Sequence, residues 1–554
     1  MSITRRSALG LMGSAAVAAG CATPRGGGEA APVRFDHGVA SGDPAADGAI
    51  LWTRASPADE SQPRVPLRWI VSLTENGRPV RSGDIEARAA RDFTAKAAVQ
   101  GLRPGMHYWY RFEAADGTVS PSGRFRTLPL RDSVRLSMAV ASCQLYSGGY
   151  FNAFRAISEL PDLDLVLHLG DYIYEYGSDY GPEIGAKIIR LPDPPHEAVT
   201  LVDYRRRHAQ CKRDPDLQAA HARAAFVCVW DDHEVADDSW SGGSENHQPA
   251  EGEWSQRKAA AMQAYFEWMP IRDPAPGRPY EAIRRTFRFG GLATLVMLES
   301  RLLARDKGIQ VPREAYVSGN FDAVIREKDR PDREMIGGAQ REWLEAELGA
   351  SKARGEPWQI IGNQVLMARV AGPDFARVLG AERFAAAAAA LPEALRGRLG
   401  ARLAGYRAGL PFSIDSWDGY PAERERVYAA FAAAGSVPLV LTGDSHAFWA
   451  NNLHDARGRL AARELGTTAV TSPSYADALP ALPTGEAVTA ANAEVVHNDQ
   501  RSKGFIHLIV TPERAEAAFV AVSTIHERAF QSRVTARFEA TPSSPAGPVE
   551  PRGV

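Results

Sequence analysis

The sequence has 554 residues, of which 45% are hydrophobic and 24% are charged, and its formal net charge is −3. This composition is typical of a globular protein that is long enough for one large domain and a smaller one. The weak net charge argues against nucleic acid as a main partner, and beyond the N-terminus no apolar run approaches the ~20 residues that cross a bilayer.

Residues 1–30 are predicted to be a twin-arginine signal peptide and linker. Paired arginines, Arg5 and Arg6, precede a short, weakly apolar run that ends in "AAGC". This ending resembles a bacterial lipobox with Cys21 as the acylated residue. We therefore expect export to the periplasm or cell surface. The alternatives of a lipid anchor at Cys21 and of ordinary cleavage nearby stay open, and so does the oligomeric state.

Residues 31–130 have the pattern of a small antiparallel β-sandwich. Short runs rich in aromatic and β-branched residues, such as "AILWTRA", "LRWIVSL" and "HYWYRFEA", are separated by turn residues. The stretch "GLRPGMHYWYRF" resembles a loop and strand of fibronectin-like sandwiches, in which Leu102 and Tyr108 would fill the core.

Residues 131–537 are predicted to form an α/β domain. Near-continuous apolar runs, among them "LDLVLHLGD", "AAFVCVWDDHE" and "VPLVLTGDSH", alternate with helical segments, which is typical of sheets covered on both faces. An Ala- and Arg-rich segment at about 373–410 favours an inserted helical element. The Pro-, Ser- and Gly-rich end, 538–554, is predicted to be a disordered tail.

Polar side chains cluster where the predicted α/β strands end. In open α/β sheets ligands bind beyond the carboxyl ends of the strands, so we expect these residues to converge. They offer a thiol, carboxylates, an amide and an imidazole, and the principal ones are Cys143, Asp171, Asp232, Glu299, Asn363, Asp444 and His446.

This donor set, together with the phenol of Tyr174, exceeds what a single tetrahedral zinc uses. Hard oxygen donors favour Ca²⁺, Mg²⁺, Mn²⁺ or Fe³⁺, while a phenolate and a thiolate favour a strongly Lewis-acidic ferric ion. Two metals that share one carboxylate would use all of the donors. Two-metal sites are suited to the cleavage of phosphate esters.

Several motifs resemble the PhoD-like alkaline phosphatases, a purple-acid-phosphatase-related branch of the calcineurin-like metallophosphoesterases. "GDYIY" is similar to their Gly-Asp-x-x-Tyr element, and "DDHE" and "GDSH" are similar to two further metal-binding elements. "FDHGVASGDP", "YRRRHAQCKRDPDLQAAHA" and "DSWDGYPAERERV" extend the likeness over most of the chain. The resemblance implies a two-sheet α/β sandwich flanked by helices, with an N-terminal β-sandwich.

The resemblance also implies a ligand set. A ferric ion would be held by Cys143, Asp171, Tyr174 and His446. A calcium ion would share Asp171 and would also be held by Asp232, Asn363 and Asp444, with Gln364 as the alternative to Asn363. Mn²⁺, Zn²⁺ or Mg²⁺ are possible substitutes.

His233 is the predicted general acid, because the matching histidine of the superfamily contacts phosphate and can protonate the leaving oxygen. We expect Glu234 to orient His233. Arg205 is a candidate phosphate contact, with a solvated helix face as the alternative. Glu299 and Arg301 in "LESR" are further candidates near the site.

The predicted function is that of an exported phosphoesterase that hydrolyses monoesters and possibly diesters, releasing phosphate by attack of a metal-bound hydroxide. The alternative within enzymes is a phosphodiesterase or phospholipase D-like activity. The alternative of another class is a non-catalytic cell-surface binding protein.

Overall fold

The computed structural model describes residues 32–57, 59, 61–180, 187–542 and 547–553. The predicted signal peptide, including Cys21, lies outside the described residues. Among the described residues, no helix has both the length and the apolar character needed to cross a bilayer.

The described strands form three sheets. Their bounds are β1 Val39–Ala45, β2 Gly48–Arg54, β3 Arg64–Ser72, β4 Pro79–Arg88, β5 Thr94–Val99, β6 His107–Ala114, β7 Gly123–Arg126, β8 Leu136–Ala141, β9 Leu165–His168, β10 Ala225–Cys228, β11 Arg285–Phe289, β12 Ala293–Met297, β13 Trp358–Gly362, β14 Leu439–Thr442, β15 Phe448–His454, β16 Leu460–Gly466, β17 Val495–Asp499, β18 Lys503–Val510, β19 Ala515–Val522, β20 Ser532–Ala540 and β21 Glu550–Arg552. The helices are α1 Asn152–Ser158, α2 Leu201–Lys212, α3 Pro215–Arg223, α4 Trp254–Trp268, α5 Arg313–Ser318, α6 Asp322–Lys328, α7 Gly338–Ala353, α8 Phe375–Leu379, α9 Ala381–Ala389, α10 Glu393–Arg407, α11 Pro421–Ala433, α12 Tyr475–Ala478 and α13 Thr484–Ala491.

Two large sheets face each other across the main core. Their strand orders are β21-β20-β19-β18-β8-β9-β10-β1-β2-β5 and β11-β12-β13-β14-β16-β15-β17. Along the second sheet, Leu295 and Ile360 belong to the core between the sheets, whereas the next residues, Val296 and Ile361, pack in a second cluster with side chains of α7 and α11. Both faces are buried, as near-continuous apolar strands require. The predicted two-sheet α/β sandwich is confirmed.

Parallel pairing brings the strand ends together. β9 pairs in parallel with both β8 and β10, and β13 pairs in parallel with both β12 and β14. All six strands therefore deliver their following loops to one edge of their sheets. The site is built from these loops.

The predicted N-terminal β-sandwich is also confirmed, with Leu102 and Tyr108 buried in its core. One of its layers is the sheet β4-β3-β6-β7. The other layer, β1-β2-β5, continues the main sheet, because β1 pairs in parallel with β10 at Gly42 and Phe226. The sandwich is thus joined to the α/β domain through a shared sheet.

Two further segments are the predicted helical insertion and the C-terminal end of the chain. The stretch predicted as a helical insertion contains α8, α9 and α10, whose apolar side chains pack with residues of the α12–α13 region. At the C-terminus, β20 runs through the predicted tail boundary at 538, and β21 pairs with it at Phe538 and Pro551. The alternating pattern of "SRVTARFEA" accounts for this strand, while 543–546 lie outside the described residues.

Candidate metal centre

The predicted metal ligands lie in the loops that follow neighbouring parallel strands. Cys143 follows β8, Asp171 follows β9 and Asp232 follows β10. Asn363 and Asp444 follow β13 and β14 of the facing sheet. The two sheets thus contribute to one site from opposite sides.

Four of the predicted ligands have a left-handed backbone. The φ angle is 60° at Cys143, 57° at Asp171, 60° at Asp444 and 55° at His446. Such conformations cost on the order of 1–3 kcal/mol for a non-glycine residue and are concentrated at functional sites. Surrounding hydrogen bonds and packing must therefore hold these residues in place.

One group of side chains, here called the thiol cluster, comprises Cys143, Asp171, Tyr174 and His446. Ligand atoms of Cys143, Asp171 and His446 lie within 4.8 Å of one another. The Tyr174 hydroxyl donates to Asp171 Oδ2 at 2.8 Å and lies 3.3 Å from His446 Nε2. The structure therefore brings together all four residues that were predicted to share one ion.

Burial controls the protonation of the thiol cluster. Desolvation raises the pKa of the Cys143 thiol and of the Tyr174 phenol well above their ordinary values, and the charge of Asp171 adds to both shifts. Burial lowers the pKa of His446 to about 4, so its imidazole is neutral. His446 Nδ1 donates to the carbonyl of Pro473 at 2.6 Å, which leaves the lone pair on Nε2 facing the cluster. A bound cation would favour the anionic thiolate and phenolate.

A second group, the carboxylate cluster, comprises Asp231, Asp232 and Asp444, whose ligand atoms also lie within 4.8 Å of one another. Asp171 is within the same distance of Asp232 and His233. Asp171 is therefore in reach of both clusters.

Three buried oxygen atoms of residues in the loops that build the site have no hydrogen-bond partner among the described residues: Asp171 Oδ1, Asp231 Oδ2 and Asn363 Oδ1. Asn363 donates from Nδ2 to the carbonyl of Val365 at 2.7 Å, so its oxygen is the free end of the amide. Gln364, the alternative ligand, instead accepts from Ser300 and donates to Leu298. Since buried polar atoms are normally paired, these unpaired oxygens fit a cation site.

Arg301, a candidate for the site from the sequence, contacts the carboxylate cluster directly. Its fully buried guanidinium donates to Asp231 at 2.5 Å and to Asp415 at 2.6 Å, and it lies 3.2 Å from Asp444 and 3.7 Å from Asp232. Its charge offsets part of the repulsion within the carboxylate cluster. The "LESR" motif at the end of β12 was the available signal.

His233 is oriented by Glu175, and not by Glu234 as predicted. His233 Nδ1 lies 2.8 Å from Glu175 Oε2, and the imidazole packs against the Tyr174 ring with 4.1 Å between centroids and an interplanar angle of 32°. Burial alone would lower the pKa of His233, but the charges of Glu175 and Asp232 outweigh it and raise the pKa above its ordinary value.

Glu234 has a different role, because its carboxylate faces backbone amides. It accepts hydrogen bonds from the N–H groups of Asp171, Tyr172 and Asp231 at 3.1, 2.7 and 2.8 Å. Burial raises the pKa of Glu234 to about 8. Glu234 thus ties the loop after β9 to the loop after β10 and holds Asp171 in its strained conformation.

Comparison with known proteins identifies the family. The family model described as PhoD-like phosphatase matches residues 138–519, and the model of the PhoD-like phosphatase N-terminal domain matches residues 20–129. The chain belongs to the PhoD-like phosphatase family.

Two individual relatives agree with this assignment. Alkaline phosphatase D of Bacillus subtilis (strain 168) is 36% identical over 431 residues, which span 76% of this chain and 66% of that relative. A solved structure entitled "Structure of PhoD" is 29% identical with a TM-score of 0.74, and the match covers 94% of this chain and 92% of the solved one. The PhoD-like fold therefore extends over nearly the whole chain.

Two predicted site residues of this PhoD-like chain lie apart from both clusters. Arg205 binds both oxygens of Glu267 at 2.7 and 2.8 Å and the carbonyl of Ala90, so it links α2 to α4 and is not a phosphate contact. Glu299 accepts hydrogen bonds from Trp230 Nε1 and from the backbone that follows it, including the N–H of Arg301. Glu299 shapes the loop that positions Arg301.

Proposed function

We propose that this chain is a metal-dependent phosphoesterase that hydrolyses phosphate esters and releases phosphate. The observation that carries the proposal is the position of Asp171, which belongs to the thiol cluster and also lies within 4.8 Å of Asp232 in the carboxylate cluster. Its Oδ2 accepts from Tyr174 while its buried Oδ1 has no partner among the described residues. A carboxylate so placed can bridge two cations, and two-metal sites are suited to the cleavage of phosphate esters. Membership of the PhoD-like family supports this activity.

The two clusters differ in the ion that they suit. The thiolate, phenolate and imidazole of the thiol cluster favour Fe³⁺, and the oxygen donors of the carboxylate cluster with Asn363 favour Ca²⁺. Mn²⁺, Zn²⁺ or Mg²⁺ are the substitutes to test. When bound, the pair of cations would supply Lewis-acid activation of water and neutralise charge on the phosphoryl oxygens.

His233 is the proposed proton donor to the leaving alcohol. Glu175 holds its Nδ1, so Nε2 is the nitrogen available to the ester. Nε2 lies 3.7 Å from Asp237 Oδ1, on the side of the ring away from Glu175. Since a ring nitrogen of His233 lies within 4.8 Å of carboxylate oxygens of Asp171 and Asp232, an ester held between the clusters would place its leaving oxygen near this imidazole.

Turnover of a chromogenic monoester and a chromogenic diester tests the proposal. Both 4-nitrophenyl phosphate and bis(4-nitrophenyl) phosphate should be hydrolysed by the purified protein, and a chelator should stop the reaction until iron and calcium are restored. A non-catalytic binding protein would turn over neither ester after reconstitution.

We also propose export by the twin-arginine route, on the sequence of residues 1–30. Mass spectrometry of the mature N-terminus tests it. A cleaved chain supports export, an acylated Cys21 adds a membrane anchor, and an intact Met1 in secreted fractions contradicts the proposal.

A further inference from the structure

A cavity of about 340 Å³ opens directly beside the metal centre. Asp444, Ser445 and His446 form part of its wall, so the cavity is continuous with both clusters. Its size falls at the lower end of pockets that hold small molecules, roughly 300–1,000 Å³. An ester held at the clusters could therefore place one of its substituents in this space.

Part of the cavity wall is apolar. Leu366 and Phe412 are buried, and Leu395, Leu399 and Leu479 complete that wall. Leu395 and Leu399 are four residues apart on α10, so they face the cavity from successive turns. A hydrated sugar or glycerol group would lose hydrogen bonds against such a wall, whereas an alkyl or aryl group would lose none.

Cationic side chains accompany this apolar wall. Arg398 and Arg402 also line the cavity, and the Arg402 guanidinium donates to the Tyr475 hydroxyl and lies 4.9 Å from the centre of that ring. Positive charge next to the clusters favours an anionic ester whose remaining surface is apolar.

We infer that the cavity binds the apolar alkyl or aryl group that stays on phosphorus when a phosphodiester is cleaved. The inference rests on the proposed phosphoesterase function. In an in-line displacement the leaving group departs towards the proton donor, and His233 is not part of the cavity wall. The group in the cavity is therefore the retained one. The substrate class is a phosphodiester with an apolar substituent.

A series of alkyl 4-nitrophenyl phosphates tests this inference, because the leaving group stays constant while the retained group grows from methyl to butyl to hexyl. Each methylene that enters the cavity should raise kcat/KM by up to about fourfold. Turnover of 4-nitrophenyl phosphate in parallel reports on the phosphoesterase function itself. If kcat/KM is the same for the methyl, butyl and hexyl esters while 4-nitrophenyl phosphate is still hydrolysed, only the cavity assignment is overturned.

Paired variants of α10 locate the binding surface. Leu395 and Leu403 are both half-buried in the same apolar cluster of the insertion, but only Leu395 lines the cavity. Leu395→Asn should lower the hexyl-to-methyl ratio of kcat/KM by about tenfold, whereas Leu403→Asn should leave that ratio within about twofold of the parent value. Melting temperatures should fall alike.

Two outcomes would overturn the assignment. One is an equal loss of the ratio in both variants, which would mean that helix stability sets the preference. The other is that Leu395→Asn lowers kcat/KM for 4-nitrophenyl phosphate as strongly as it lowers kcat/KM for the hexyl diester. That result would place the leaving group in the cavity. If Leu395→Asn does not fold, Leu479→Asn makes the same test, because Leu479 follows α12 and also lines the cavity.

Discussion

Glu175→Gln removes the charge that orients His233 while it keeps the size of the side chain. The Glu175 carboxylate is fully buried, and its Oε2 lies 2.8 Å from His233 Nδ1. A hydrogen bond that involves a charged group contributes roughly 1.5–3 kcal/mol. If that energy holds the imidazole in line with the leaving oxygen, its loss should slow proton delivery by about 10- to 150-fold.

The assay compares two leaving groups. A simple alkyl phosphate needs protonation of its leaving oxygen and should lose the full factor, whereas 4-nitrophenyl phosphate releases a stabilised phenolate and should lose much less. Glu234→Gln is the matched control, because Glu234 accepts from the backbone of Asp171 and Tyr172 and should slow both esters alike. Equal losses for both esters in Glu175→Gln would refute the role given to the Glu175–His233 pair.

Three further outcomes follow from individual side chains. Tyr174→Phe should remove the phenolate-to-iron charge-transfer band from the visible spectrum of the iron-reconstituted protein; an unchanged spectrum would place the iron elsewhere. Arg205→Met leaves Glu267 buried without its cationic partner and should lower the free energy of unfolding by about 3 kcal/mol in urea titrations. The KM of Arg205→Met for 4-nitrophenyl phosphate should equal that of the parent protein. A marked rise in this KM would show that Arg205 binds the substrate. Burial lowers the pKa of Lys212 from its ordinary 10.5 to about 7, so between these values the unfolded chain binds more protons and stability should rise with pH. Lys212→Met should remove this rise, which is at most about 1.4 kcal/mol per pH unit; an unchanged slope would contradict the burial argument.

The sequence made the strand ends of the site predictable. A strand that is buried on both faces is mostly apolar, so the first carboxylate after "LDLVLHLG" or "VPLVLTG" indicates that the strand has ended and that the loop at the edge of the sheet has begun. Asp171 and Asp444 were identified in this way. Their left-handed backbones were not, because that conformation depends on contacts such as those from Glu234 across two loops.

The hydrogen-bond and ion-pair partners of the predicted residues were harder to predict, because they are set by tertiary packing. Glu234 is adjacent to His233 in the chain, yet Glu175, 58 residues away, makes the contact. From the sequence, Arg205 could have faced solvent or substrate, and the structure pairs it with Glu267 on another helix. Local patterns carry no signal for either choice.

The sheet that the two domains share could not be predicted, for the same reason. The short strands of the N-terminal sandwich are recognisable from alternation and turn residues. Nothing in that pattern shows that β1 lies beside β10, since the pairing of Gly42 with Phe226 joins segments far apart in the chain.

The metal content of the purified full-length chain tests the central claim most directly. We predict at least two metal ions per chain by elemental mass spectrometry. Asp171→Asn should lower the occupancy of both ions, whereas Cys143→Ser and Asp232→Asn should each deplete mainly one. Full retention of both ions in folded Asp171→Asn, or no bound metal in the parent protein after reconstitution, would contradict the claim that this carboxylate joins two cations.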